Sequence, residues 1–457
     1  MKIPPILVCL LVGGACLIAA CSGETLTTDP AEPVATTGVI QIAVTTAGID
    51  VDPDGYSLLL DGRSAHRVAT TGSVALTDVP PGPHVLALED IELNCSIGDN
   101  PQSVSVSIGQ TSEASFTAAC SGVADSSGIT TLDLGGIPGA TGWTIARGLS
   151  EDGAIAGWAE FPFRLRAFYR SPAGVWIDLN AEAEAALGRS LTSVAWDLSD
   201  NHRVVGVTDF NSPAERPVLW QEQGATWKVI PLPVEGPGVP GRGGFAHGIN
   251  GRGDLIAGRI VVNGPRELPV VWSETTPGQW TLELLPLHGD LFQFGNAEAV
   301  NDATPTRITG EIGFLSAVVW TREGEGWSDP IVLPKPGGYG SHGLGINRLG
   351  DVAGKLFLCP SSETAVLWRN IGAAWELVDI TERVMECGDE PSAVAWDVND
   401  ARQVVGDIRY SGQRPFLWHD GRLQLLAAGG VAWKINNANQ FVGPGSDYRH
   451  AFLWTIQ

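Results

Sequence analysis

Ala246-His247-Gly248-Ile249-Asn250, then Ile256-Ala257-Gly258, then Val270-Val271-Trp272: this succession decides the fold, because it returns seven times between residues 129 and 457. Each copy opens with an apolar strand that ends in Leu, Ile or Val followed by Asn or Ser. A tight turn, an apolar pair and a glycine come next. A variable loop then leads to a strand ending in Trp, and a further strand ends in Leu or Pro. The first copy reads Ala146 to Ser150, Ile155-Ala156-Gly157 and Ala167-Phe168-Tyr169, and the second Ala195 to Ser199, Val204-Val205-Gly206 and Val218-Leu219-Trp220. The fourth has Ala299-Val300-Asn301, a longer turn, Ile308-Thr309-Gly310 and Val318-Val319-Trp320; the fifth has Gly345-Ile346-Asn347, Val352-Ala353-Gly354 and Val366-Leu367-Trp368. The sixth gives Trp396-Asp397-Val398-Asn399, Val404-Val405-Gly406 and Phe416-Leu417-Trp418. The seventh gives Trp433-Lys434-Ile435-Asn436, Phe441-Val442-Gly443 and His450-Ala451-Phe452-Leu453-Trp454.

Four strand-sized segments per copy, at a period of roughly 40–50 residues, are the signature of a propeller blade. The Asn is expected to bond the backbone two residues on and to tolerate positive φ. The Gly suits a crowded inner strand where a side chain would collide, and the Trp an apolar contact between blades. The seventh copy reaches Trp454-Thr455-Ile456-Gln457 without its last strand, and Thr130-Thr131-Leu132-Asp133-Leu134 matches the missing segment. The expectation is therefore an all-β chain whose seven-bladed β-propeller, residues 129–457, is closed by its own N-terminal strand, since closure removes exposed edges. The pattern resembles the HAF family of extracellular repeats, whose name motif lies in His450-Ala451-Phe452-Leu453-Trp454. Two departures, Tyr169 in place of Trp and the expanded turn of the fourth copy, affect local geometry rather than the count.

Residues 38–121 read as a separate small β-sandwich. Val39 to Val44 alternates apolar and polar, as do Tyr56 to Leu60, Ser73 to Leu76, His84 to Leu88, Ser103 to Ile108 and Ala114 to Ala118, with turn signals between them. The run Leu76-Thr77-Asp78-Val79-Pro80-Pro81-Gly82-Pro83-His84-Val85-Leu86 resembles PEGA-type and related Ig-like surface modules, which implies a spacer. Residues 122–128 form a Ser/Gly linker.

The first twenty residues have the form of an export signal: Lys2, an apolar run from Ile6 to Ala20 too short to span a bilayer, then Ile18-Ala19-Ala20-Cys21. This resembles the bacterial lipobox, which implies cleavage before Cys21 and lipidation of that cysteine. Acyl chains contribute about 0.8 kcal/mol per buried methylene, so the lipid is the expected membrane attachment. Ser22 after Cys21 resembles outer-membrane sorting. Residues 21–37 read as a disordered tether. Export leaves Cys95, Cys120, Cys359 and Cys387, an even number that suggests two disulfides, Cys95 with Cys120 and Cys359 with Cys387.

Charged residues make up only 17% of the chain, against 57 Gly, 30 Pro and 16 Trp, a balance for short strands and turns. The formal charge of -23 excludes nucleic acid as a natural partner. No HExxH, GxSxG, Walker loop or CxxC is present, the eight His are scattered, and no cofactor is expected. Asp50, Asp52, Asp54 and Asp61 match the spacing of a calcium loop but lack its flanking helices, so calcium competes with a plain acidic hairpin.

Function is expected on the face that carries the second-to-third-strand loops and the blade-to-blade connections, the long and variable ones. There Phe161, Phe163, Phe210, Phe292, Phe294, Tyr410 and Tyr448 are candidate ligand contacts, interspersed with Glu160, Asp209, Glu311, Asp407 and Asp447. The expected role is that of a monomeric, lipid-anchored envelope protein recognising a glycan or protein ligand. A propeller-borne polysaccharide hydrolase or lyase, and an envelope-assembly scaffold, are the alternatives.

Overall fold

The computed structural model describes residues 36–48, 55–89, 91, 95–120 and 128–457. Within the last range, 211, 213–214, 225, 237–238, 263–265, 289–293, 314–315, 336–339, 360–361, 373, 382–391, 410–412 and 427–429 are not described. The signal, the lipidation site Cys21 and the tether to residue 35 lie outside the described residues, as do Asp50, Asp52, Asp54, Phe292, Cys387 and Tyr410. The chain divides into two units, Met1–Ser121 and Gly122–Gln457.

In the first unit two four-stranded sheets share one apolar core. One sheet runs Gly72–Val79, Gly38–Gly48, Thr111–Cys120, Cys95–Ile97; the other Arg63–Val68, Tyr56–Leu60, Gly82–Glu89, Gln102–Val106. Alternation sets which side chains turn inward: Ile40, Ile42 and Val44 are buried from one strand, Phe116 and Ala118 from its parallel neighbour. Two strands escaped the sequence reading. Arg63–Val68 is a polar edge, exposed over most of its length, and Cys95–Ile97 has only three residues. Cys95 is disulfide-bonded and stands opposite Cys120 in the ladder.

The described residues of the second unit form seven antiparallel sheets of four or more strands, together with a two-stranded ribbon. Taken by their first strands, the sheets begin at Thr144–Leu149, Ser193–Leu198, Gly243–Ile249, Gly295–Val300, Gly340–Ile346, Ser392–Val398 and Lys434–Ile435. Each packs on the next, and the seventh packs on the first. Ile129–Gly135 is the outer strand of the seventh sheet, antiparallel to Ala451–Ile456 with Leu132 opposite Leu453 and Trp454 opposite Thr131. One α-helix, Leu179–Leu187, sits in the connection from the first sheet to the second, capped by the Asp178 carboxylate on the Asn180 N–H and by Gly188 at φ 65°. No helix among the described residues is long and apolar enough to cross a membrane.

The repeated residues have structural tasks. A Cβ on Gly206, Gly258, Gly310 or Gly354 would lie 2.0–2.1 Å from a carbonyl oxygen of the neighbouring first strand. Trp220, Trp272, Trp320 and Trp368 are fully buried between consecutive sheets. The indole N–H groups of Trp272, Trp320 and Trp368 donate to the carbonyls of Pro233, Pro286 and Pro334 at 2.7, 2.8 and 2.7 Å.

The Asn works differently from the expectation. None of Asn250, Asn301, Asn347, Asn399 or Asn436 has positive φ; that conformation falls three residues later, at Gly253, Gly350, Arg402 and Asn439. The Asn oxygen accepts an N–H four residues on, from Asp254, Asp351, Gln403 and Gln440 at 2.8–3.0 Å. Among the described residues the two-residue contact survives only in the fourth sheet, where Ala303 N–H reaches Asn301 at 3.4 Å. The amide, meanwhile, crosses to the next sheet. Asn301 donates to the Asn347 carbonyl, Asn347 to Asn399, Asn399 to Asn436, and Asn436 to Ser150 of the first sheet, at 2.8–3.1 Å. This belt of buried amides joins the fourth sheet through the seventh and on to the first, where the first two strands turn.

Candidate functional site

Six of the seven first strands carry the same irregularity. The ladder to the second strand slips by one residue at Arg147, Trp196, His247, Glu298, Leu344 and Trp396. These are β-bulges, in which two residues oppose one and a side chain is re-aimed. Around each bulge the strand is buried while the bulged residue itself is half-exposed. In the seventh sheet Trp433 precedes Lys434–Ile435 and holds the corresponding place. The seven side chains line one cavity of about 470 Å³ that receives residues from every sheet of the ring.

The cavity has an aromatic side and a polar side. On the aromatic side the Arg147 guanidinium lies 4.9, 5.5 and 4.4 Å from the ring centroids of Trp196, Trp396 and Trp433. The rings of Trp396 and Trp433 meet edge to face at 6.3 Å. The Trp396 N–H is held by the Asp407 carboxylate at 2.6 Å, whose other oxygen accepts from Arg409 and Gln413 at 3.1 and 2.7 Å. Opposite, His247 contacts Glu298 at 3.1 Å, and Arg259 stacks on Phe245 at 4.3 Å while pairing with Glu267 at 3.1 Å.

Between them Lys434 joins Asp197 at 3.2 Å and Asp397 at 4.0 Å. Both aspartates also brace the next sheet: Asp197 accepts the Ile249 N–H and Asp397 the Ile435 N–H, each at 3.1 Å. Burial pushes the Asp397 carboxyl up to about 6, against the pull of Lys434. Burial likewise brings Arg147 down to about 10, so it stays cationic at neutral pH.

Of the described aromatic residues expected to bind, Phe210 alone lines this cavity, meeting Phe245 at 6.3 Å. Phe161 lies under Arg166 at 5.3 Å, the Phe163 side chain is fully exposed, and the Tyr448 hydroxyl donates to Gln413. Phe294 is half-buried just before the fourth first strand, its carbonyl accepting the Gly313 N–H at 2.9 Å. Among the acids, Asp209 is clamped by Arg189 at 2.6 Å through both oxygens, and Glu311 pairs with His342. Asp61, from the calcium-like spacing, accepts the Val85 N–H at 2.9 Å and faces His84 at 2.8 Å; no metal-holding cluster occurs among the described residues. The Cys359 backbone ends the second strand of the fifth sheet.

The sequence reading missed Trp196, Trp396 and Trp433. Its signal was the column just after the small residue of each first strand, Arg, Trp, His, Glu, Leu, Trp and Trp in turn, varying inside a constant frame.

No protein-family model and no curated protein sequence matches the chain. Solved structures similar to it are β-propeller proteins. One is the β-propeller domain of the Trilobed protease from Pyrococcus furiosus, 10% identical, TM-score 0.43, covering 69% of this chain and 96% of that one. Another is the gluconolactonase XC5397 from Xanthomonas campestris, 10% identical, TM-score 0.37, covering 72% of this chain and 90% of that one. TolB from Acinetobacter baumannii is 14% identical, TM-score 0.35, covering 66% of this chain and 63% of that one.

Proposed function

We propose that the chain is a lipid-anchored envelope protein whose seven-bladed, HAF-like propeller binds a saccharide in its central cavity, with the Ig-like sandwich as spacer. One observation carries this reading: three indoles converge with charged, hydrogen-bonding side chains in a cavity of about 470 Å³. That volume falls within the roughly 300–1,000 Å³ of small-ligand sites. A pyranose has an apolar C–H face for an indole and hydroxyls for the ion pairs opposite. Lipidation of Cys21, placement in the outer membrane, a monomeric state and a Cys359–Cys387 disulfide belong to the same proposal.

A hydrolase is the second reading, favoured by the raised Asp397 carboxyl beside Asp197. Binding ranks ahead because both carboxylates are engaged by Lys434 and by a backbone N–H of the next sheet.

The test is a titration of oligosaccharides against the full chain in detergent, followed by calorimetry and product analysis. Trp196→Ala and Trp396→Ala should each weaken binding at least tenfold, given ~1.4 kcal/mol or more per stacked ring lost. Phe163→Ala should leave it unchanged. Affinity indifferent to both tryptophans would discard the cavity as the site, and release of reducing ends would move the assignment to the hydrolase.

A further inference from the structure

Of the cations lining the cavity, Lys434 contacts Asp197 and Asp397, and Arg259 contacts Glu267. Arg147 is the exception: among the described residues it forms no hydrogen bond and no ion pair. Its guanidinium lies against three indoles. The three rings crowd the guanidinium carbon, while no acceptor among the described residues takes a hydrogen bond from its N–H groups. Glu298 and Asp197 act on it through space, without touching it.

A half-buried charge lining a cavity without an acidic partner is costly to keep there. The same sequence column tolerates Leu344, so nothing in the fold demands an arginine there. The rings around Arg147 also narrow the positions open to its fork, which favours bidentate recognition of a carboxylate.

Resting on the saccharide reading of the cavity, we propose that Arg147 is the receptor for a carboxylate on that saccharide, so that the ligand class is an acidic sugar of the uronic acid type. The carboxylate would lie in the guanidinium plane, accepting two N–H bonds, while the sugar's apolar face packs on a neighbouring indole. A single negative charge fits better than a phosphate or sulfate ester chain. Among the described lining residues one cation lacks an acidic partner, while Asp197, Asp397 and Glu298 line the same space and the chain as a whole carries -23.

The experiment compares, by calorimetry on the full chain in detergent, a uronic acid oligosaccharide, its methyl ester and the corresponding neutral oligosaccharide. The acid should bind at least tenfold more tightly than the other two, with an advantage that shrinks as salt is raised. Arg147→Gln should abolish the preference, so that this variant binds the acid no more tightly than it binds the neutral sugar, and Arg147→Lys should restore part of it. The ester comparison uses unmutated protein, so it stands even if a variant fails to fold. Equal binding of the acid, its ester and the neutral sugar would overturn the carboxylate assignment while leaving the saccharide site in place. Failure of all three to bind would overturn both.

Discussion

Gly258→Ala tests the crowding that makes glycine recur in every sheet. The added Cβ would sit 2.1 Å from the Phe245 carbonyl oxygen and 2.8 Å from a ring carbon of Trp272. A comfortable C···O approach is about 3.3 Å, so the two groups must part by more than 1 Å. Neither is free to do so. Phe245 is backbone within the first strand, and Trp272 is fully buried with its N–H fixed on Pro233 at 2.7 Å. The ladder between the two inner strands must open instead. Overpacking of this kind costs roughly 1–3 kcal/mol, and a weakened ladder bond adds about 1. The entropy that alanine removes from the unfolded chain returns about 0.4–1 kcal/mol. The net expectation is a loss of about 2–3 kcal/mol. Gly224→Ala is the control: its φ of +70° strains alanine, but nothing lies within 4 Å of the new atom, so about 1 kcal/mol is expected. Urea unfolding followed by tryptophan fluorescence reads the second unit alone, because all 16 tryptophans lie at or beyond Trp143. A midpoint shift for Gly258→Ala no larger than that of Gly224→Ala would refute the close-approach account.

Asn399→Ala should cost about 2–3 kcal/mol in the same assay, since its side chain is buried and makes three bonds: to Gln403 Oε1 at 2.6 Å, to the Asn436 carbonyl at 3.1 Å, and from the Gln403 N–H at 2.9 Å. Asn399→Asp should not rescue it, lacking a donor for Asn436; full stability of the aspartate variant would remove the belt from the account. The Asp397 carboxyl is raised in the fold from 3.8 to about 6, so between those values the folded chain holds the extra proton. Its contribution therefore weakens stability as pH climbs from about 4 to 6 and is constant above. Thermal melting across that range should show the wild-type slope flattened in Asp397→Asn, and parallel slopes would contradict the assignment.

The ring was legible because its determinants repeat. A glycine forced by a carbonyl, an indole between sheets and an amide at a turn each recur with the copies, so periodicity exposes them. The Asn shows the limit of that legibility: its position was readable, but its bond to the next sheet was not, because the acceptor lies 37–52 residues away in three links of the belt and 286 in the fourth. The helix at Leu179–Leu187 escaped because it belongs to a connection rather than to the repeat. Phe163 illustrates the opposite error. An aromatic residue in a loop reads as a contact, yet its positive φ of 69° places it on a hairpin turn with its ring in solvent.

The site was the least legible part for a related reason. Reading a repeat means discounting what varies, and here the variable column is the one the bulges turn toward the axis. Neighbouring sheets then decide what that column can build. Trp433 and Trp196 come from the sheets on either side of Arg147, and Trp396 from the one beyond, so the aromatic side is continuous; His247 and Glu298, also from adjacent sheets, form the polar side. Scattered around the ring, the same seven residues would give a cavity with no sides at all. On the proposed saccharide reading, their grouping would give the ligand one wall to stack on and one to hydrogen-bond with, which is what a ring with one apolar face and a polar rim requires.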